Sequence, residues 1–240
     1  MPEISRIPVI LILCPLSCLA DEIQARRLLM RLGYPGRELE RLGAMRSVSA
    51  RRQSIAARLA AARAMADYIS AAEEECDPPD AGRLVCMDRM DNISMSPRLD
   101  SWLSMWERSA EGKPRVRRAP FDLSLSHTDR AAVCALTVNR GWQIGVDMEC
   151  FTRALPTWER LSDRVLSDRE RLKVRDAPSF LNVWTRKEAM GKALGCGMFC
   201  ARKLDTMSLP ETTFSHFVWE DSDITVCLMP QTEAGETRPR

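Results

Sequence analysis

Apolar and polar positions along this chain follow three rhythms, and each predicts a different kind of element. An unbroken apolar run from Ile7 to Leu13, with Pro8 and Pro15 near its ends, reads as a buried N-terminal strand. Steps of three and four then take over. Asp21 to Leu32 is a short amphipathic helix closed by Gly33 and Pro35. The Ala-rich stretch from Ser47 to about Ala72 carries Ile55, Leu59, Ala62, Ala66 and Ile69 on a packing face, with arginine on the other. From Phe121 the step is two: Phe121 to Ser126, Ala131 to Val138 and Gln143 to Glu149 read as three strands of a small antiparallel sheet. Ser167 to Val174 and Pro178 to Leu194 return to helix, the second opening at a proline and stopping at Gly195. Phe214 to Trp219 and Asp223 to Leu228 are a closing pair of strands, and the tail from Pro230 to Arg240 reads as disordered. Between Asp77 and Lys113, Pro, Gly, Asp and Ser mix with scattered Met and Trp, a pattern of loops with short elements.

Composition narrows the class. The chain has 240 residues, 45% apolar, long enough to bury a core without disulfide or metal staples. Its 35 basic and 33 acidic side chains leave +2, which fits neither a polyanion-coating protein nor an acidic disordered one. Nine cysteines, an odd number without regular spacing, argue for reduced thiols and a cytoplasmic location. The Ile7 to Leu13 run is too short to span a bilayer, and the single Arg6 before it is a poor start for a signal peptide, so no membrane role is expected.

Four groups of residues carry candidate chemistry. In Gly145-Val-Asp-Met-Glu149, strand geometry points Asp147 and Glu149 to one face, about 7 Å apart, where they could share a cation; a solvated edge strand would show the same alternation. In the helix after Pro178, steps of four align Trp184, Glu188 and Lys192, a catalytic stripe or a routine surface pair beside a core tryptophan. The chain holds thirty arginines and five lysines, yet Lys187 and Lys192 fall in this helix and Lys113 in the segment Glu111-Gly-Lys-Pro114. Ser124-Leu-Ser126-His127 ends a strand with one of only two histidines, either a ligand or a packing residue. Arg46, Arg51, Arg52 and Arg58 open the long helix, where they could grip phosphate or simply face water.

In this order the segments resemble the Sfp-type 4′-phosphopantetheinyl transferases, bacterial enzymes that modify acyl carrier proteins. The resemblance is carried by Arg51-Arg52 with Ala57-Arg58, Glu111-Gly-Lys-Pro114, Phe121-Asp-Leu-Ser-Leu-Ser-His127, Gly145-Val-Asp-Met-Glu149, Leu166-Ser-Asp-Arg-Glu170, and Trp184-Thr-Arg-Lys-Glu-Ala189 with Lys192, Gly195 and Gly197. It spans roughly residues 46 to 209. Met148 stands where the family usually has Ile or Val. Cys196 and Cys200, without a nearby histidine, are a weak zinc signal.

The resemblance implies an α+β monomer of two similar lobes related by a pseudo-twofold axis, each a small antiparallel sheet packed with helices. Residues 1–141 would form the N-terminal lobe, 142–229 the C-terminal lobe and 230–240 the tail. Coenzyme A would lie between the lobes, and a serine of an apo acyl, polyketide or peptidyl carrier protein would attack its phosphate, releasing 3′,5′-ADP. Asp147, Glu149 and Glu188 would hold Mg²⁺. Glu188 would be the general base, while Lys192 and His127 would stabilise the diphosphate. Arg51, Arg52, Arg58 and Lys113, with Ser126, would line the nucleotide site, Arg52 foremost. Glu170 would support the site by orienting a lysine or a water. Two readings from other classes compete: a silent module that binds coenzyme A or carrier protein without transfer, and a nucleic-acid binder using the +5 segment 37–63. That segment has no aromatic residue to stack bases, so no nucleic-acid partner is expected.

Overall fold

A computed structural model describes residues 9–19, 21–76, 82–139, 141–196, 205–210 and 213–231. The first strand, β1 (Val9–Pro15), is apolar on both faces because two cores need it: Ile10, Ile12 and Cys14 face one, Leu11 and Leu13 the other. Helix α1 (Glu22–Arg31) starts at Asp21, whose carboxylate accepts from the Ile23 and Gln24 N–H groups at 2.7 and 3.3 Å. It ends where Gly33 adopts φ +87°. A short helix that periodicity did not mark, α2 (Gly36–Gly43), follows Pro35.

The long helix α3 (Val48–Glu73) begins at Ser47, as the pattern predicts. Its expected arginine face is not solvated. Helices α1 and α2, and later α4 (Pro97–Ser104), cover the side away from the sheet, so almost every residue from Ser54 to Ala66 is buried. Alanine makes this possible, since it lets neighbours approach from all sides. Arg58 is only 2% exposed and pairs with Glu38 of α2, its Nε 2.7 Å from the carboxylate. The unassigned stretch before Phe121 also supplies β2 (Leu84–Cys86), β3 (Trp106–Arg108) and β4 (Pro114–Val116).

The second half contains β5 (Asp122–His127), β6 (Ala131–Thr137), β7 (Trp142–Cys150), α5 (Trp158–Val165), α6 (Asp168–Arg171), α7 (Ala177–Ala193), β8 (Phe214–Trp219) and β9 (Ser222–Pro230). The helix expected over Ser167 to Val174 is a single turn, stapled by reciprocal hydrogen bonds between Ser167 and Glu170. Helix α5 has no counterpart in the sequence reading. Residues 232–240 of the expected disordered tail lie outside the described residues, as do Gly197 and Cys200, while Pro230 closes β9.

Strand pairing corrects the predicted sheet. Strands β5 and β6 pair antiparallel, but β7 leaves them and pairs with β9. The sheets are β2-β1-β6-β5, the ribbon β3-β4, and β7-β9-β8. Nor is the first sheet wholly antiparallel, because β2 runs parallel to β1. The fold is mixed α+β, with seven α-helices and three small sheets among the described residues.

A repeat unites the halves: β1-α3-β5-β6 and β7-α7-β8-β9 share one topology. In each, the first strand pairs with the last and the last with the third, and the helix lies on the sheet. The sheets pack face to face through Leu11, Leu13, Val133, Ile144, Val146 and Ile224, among others, with α3 and α7 on their opposite faces.

Candidate active site

The two sheets meet where β5 lies along the free edge of β7, and the polar alternation of β5 has its cause there. Asp122 Oδ2 accepts from the Ile144 N–H at 2.9 Å and Ser124 Oγ from the Val146 N–H at 3.1 Å. Lys113 Nζ donates to the Ile144 carbonyl and Lys192 Nζ to the Val146 carbonyl, at 3.1 and 3.0 Å. An edge strand that would otherwise bury unpaired backbone groups is thus satisfied by side chains. Gly145 allows α7 to come close: a Cβ there would lie 1.8 Å from the Ala189 carbonyl oxygen.

That approach lays Glu188 and Lys192 of α7 over the face of β7 bearing Asp147 and Glu149. Asp147 is 6% exposed; its Oδ1 accepts from Ser126 Oγ at 2.9 Å and Lys192 Nζ at 2.8 Å. Its Oδ2 is buried without a hydrogen-bond partner. Burial, then the Asp147 charge, raises the Glu188 pKa to about 7, and Glu149 adds to the rise. Glu149 is itself raised by burial and by Asp147, although Arg153 Nη1 contacts both its oxygens at 3.0 and 2.8 Å. A fourth acid, Asp223 of β9, stands opposite Glu149 in the ladder, and burial raises it too.

The predicted stripe on α7 therefore divides. Glu188 and Lys192 face the site, whereas Trp184 packs on Phe180 with ring centroids 5.8 Å apart. Lys187 points elsewhere, to a fully buried ion pair with Glu170 at 2.6 Å. Glu170 also accepts from the Ser167 N–H, the Thr206 N–H and Thr206 Oγ1. Glu170 thus ties α6 to α7 through a lysine.

Beside the acids opens a cleft of about 280 Å³ whose cationic lining is Arg58, Arg108, Lys113 and Lys192, with His127 beside them. Burial, then the charge of Lys192, lowers the His127 pKa. Lys113 is held by Asp122 at 2.5 Å. Two of the predicted arginines are not brought here. Arg51 pairs with Glu22 of α1 and donates to the Met45 carbonyl at 2.8 Å, while Arg52 donates to the Leu16 and Leu19 carbonyls at 3.2 and 2.8 Å. Both anchor the start of α3 instead of lining the cleft. Arg58 does line it, with its guanidinium held by Glu38. Arg108 was missed because it lies on β3, in the stretch without a pattern. Asp223 was missed because nothing in a strand's alternation tells which neighbour it will face.

Among the described residues, no three Asp, Glu, His or Cys side chains stand closed into a metal-ligand set. Arg153 and Lys192 lie against two of the acids. The donors nevertheless suit a hard divalent cation: they are all carboxylates, one buried oxygen lacks a partner, and burial, with the neighbouring Asp147 charge, keeps two of the acids reluctant to ionise.

Residues 143–232, which include all four acids and Lys192, match the model of the 4′-phosphopantetheinyl transferase superfamily, the ACPS domain. The match covers 90 of the 240 residues, so this segment is similar to a superfamily described by its transfer of 4′-phosphopantetheine. No curated protein matches the chain. Among the described residues, no helix is long and apolar enough to cross a membrane.

Proposed function

We propose that this protein is an Sfp-type enzyme that transfers 4′-phosphopantetheine from coenzyme A to a serine of an apo acyl, polyketide or peptidyl carrier protein. The observation that carries the reading is the convergence of Asp147, Glu149, Glu188 and Lys192 beside a cation-lined cleft, within the segment that matches the transferase superfamily. Residues 1–141 and 142–229 act as the two lobes of a monomer, and the free thiols of the described cysteines favour the cytoplasm.

Asp147, Glu149 and Glu188 would hold Mg²⁺. When bound, that ion offsets the negative charge that builds on the diphosphate as its bond breaks. Glu188 removes the proton of the attacking serine, directly or through a water. Lys192 and His127 donate to the phosphate oxygens and stabilise the departing 3′,5′-ADP. Arg58, Arg108 and Lys113 attract the nucleotide's phosphates into the cleft. Arg51, Arg52 and Ser126 serve at one remove, by setting α3 and by hydrogen bonding to Asp147.

Mass spectrometry of an apo carrier protein after incubation with this protein, coenzyme A and Mg²⁺ tests the proposal. A phosphopantetheine-sized gain is expected, with Asp147→Ala and Glu188→Gln each slowing it at least ~100-fold. A gain that survives both substitutions would overturn these roles. No gain with any carrier, despite tight binding of coenzyme A, would favour a binding module.

A further inference from the structure

The turn after β7 is unusually well tied down. The Phe151 N–H donates to the Asp221 carbonyl at 2.7 Å, Thr152 Oγ1 donates to Asp221 Oδ2 at 3.1 Å, and the Arg153 N–H donates to the Cys150 carbonyl at 3.1 Å. Arg130 holds Asp221 in turn, at 3.0 Å. The turn folds Arg153 back over Glu149, and a single nitrogen, Nη1, contacts both carboxylate oxygens. One positive centre is thus set against both oxygens of the carboxylate that would help hold a metal ion.

The surroundings explain why a cation is needed. Glu149 faces Asp147 on its own strand, Asp223 across the ladder and Glu188 from α7, and like charges opposite one another destabilise a sheet. From α7, Lys192 gives its ammonium to Asp147. From β8, His216 stands 4.0 Å from Asp223. Arg153 is the cation in direct contact with Glu149, and its side chain is 54% exposed against 16% for the glutamate. A cavity of about 470 Å³, lined by Gln53, His127, Arg130 and Thr152 as well as by the pair itself, gives the guanidinium room to withdraw.

We propose that Arg153 is a built-in counter-cation that keeps Glu149 occupied at rest and must leave before a divalent ion can bind, so that it sets the affinity of the site for metal. The inference rests on the transferase reading only in taking Glu149 as a metal ligand. It makes the acids tolerable in the absence of metal, and metal binding an exchange of one cation for another.

The test is Mn²⁺ binding to the full chain without coenzyme A, followed by the paramagnetic signal of the free ion. Arg153→Gln should bind Mn²⁺ roughly two- to fivefold more tightly, the range expected on removing a competing exposed ion pair. In the Glu149→Gln background, the same substitution should change nothing. Equal or weaker binding by Arg153→Gln would overturn the proposal, weaker binding meaning that the arginine orients Glu149 for the metal. If Mn²⁺ binds neither the parent chain nor Arg153→Gln, the metal reading falls as well. Binding that is equal in both removes the counter-cation alone. An unchanged melting temperature of Arg153→Gln without metal would contradict the need for charge relief.

Discussion

The two β-α-β-β units can be compared almost residue by residue along their helices. Arg58 is the eleventh residue of α3 and Lys187 the eleventh of α7, and each is a buried cation. Each pairs with a glutamate on the short helix just before, Glu38 of α2 or Glu170 of α6. The next helical position is Leu59 in the first unit and Glu188 in the second. Where β1 turns Ile12 and Cys14 towards its helix, β7 turns Asp147 and Glu149. One architecture thus serves two purposes. The first unit is dry beneath its helix and supplies the edge strand and basic cleft lining. The second has replaced apolar contacts with carboxylates and bears the cost of crowding them.

The largest expected effect tests whether the two buried cations are equivalent in strength. Lys187→Met leaves Glu170 buried and should cost about 3–5 kcal/mol of unfolding free energy, measured by urea denaturation. Arg58→Met should cost less, because Glu38 keeps Arg41 at 3.1 Å. Equal losses would mean that the pairs play the same part in both units. Gly145→Ala is next: with the Ala189 carbonyl in the way, α7 must shift, at a cost of about 1–3 kcal/mol and with loss of transfer activity.

Glu188 supplies a test by pH. Its folded pKa, about 7, lies above the ordinary 4.5, so the folded protein binds the proton more tightly and ionisation weakens the fold. Stability from this residue is present below pH 4.5 and lost as pH rises through 7. The metal-free melting temperature should therefore fall across that window, and Glu188→Gln should flatten the fall. A parallel fall in both proteins would assign the effect to other groups. The smallest expected effect separates the arginines: Arg108→Gln should weaken coenzyme A binding several-fold by calorimetry, while Arg52→Gln should leave it unchanged and lower stability by about 1 kcal/mol through its lost backbone contacts.

Local rules located most elements, because caps and periodicity act within a few residues. Asp21, Ser47 and Asp176 start helices as their side chains dictate, and Gly33 and Gly195 end them at positive φ. The acids of the site were legible through spacing and order: Asp147 and Glu149 alternate on a strand, and Glu188 and Lys192 repeat on a helix. Those pairs needed no distant information to share a face. Tertiary structure decided the rest. Strand pairing moved β7 into the second sheet, since β9 offered a complementary edge that lies far off in the chain. The covering of α3 by α1, α2 and α4 turned an apparently solvated arginine helix into a buried one, and that covering sent Arg51 and Arg52 to backbone and acid partners away from the cleft. Residue type and spacing are local properties, so one chain can encode which side chains point together. Which surface they meet is decided by tertiary pairing: the β7-β9 ladder set Asp223 opposite Glu149, and the meeting of the two units brought Arg108 to the cleft.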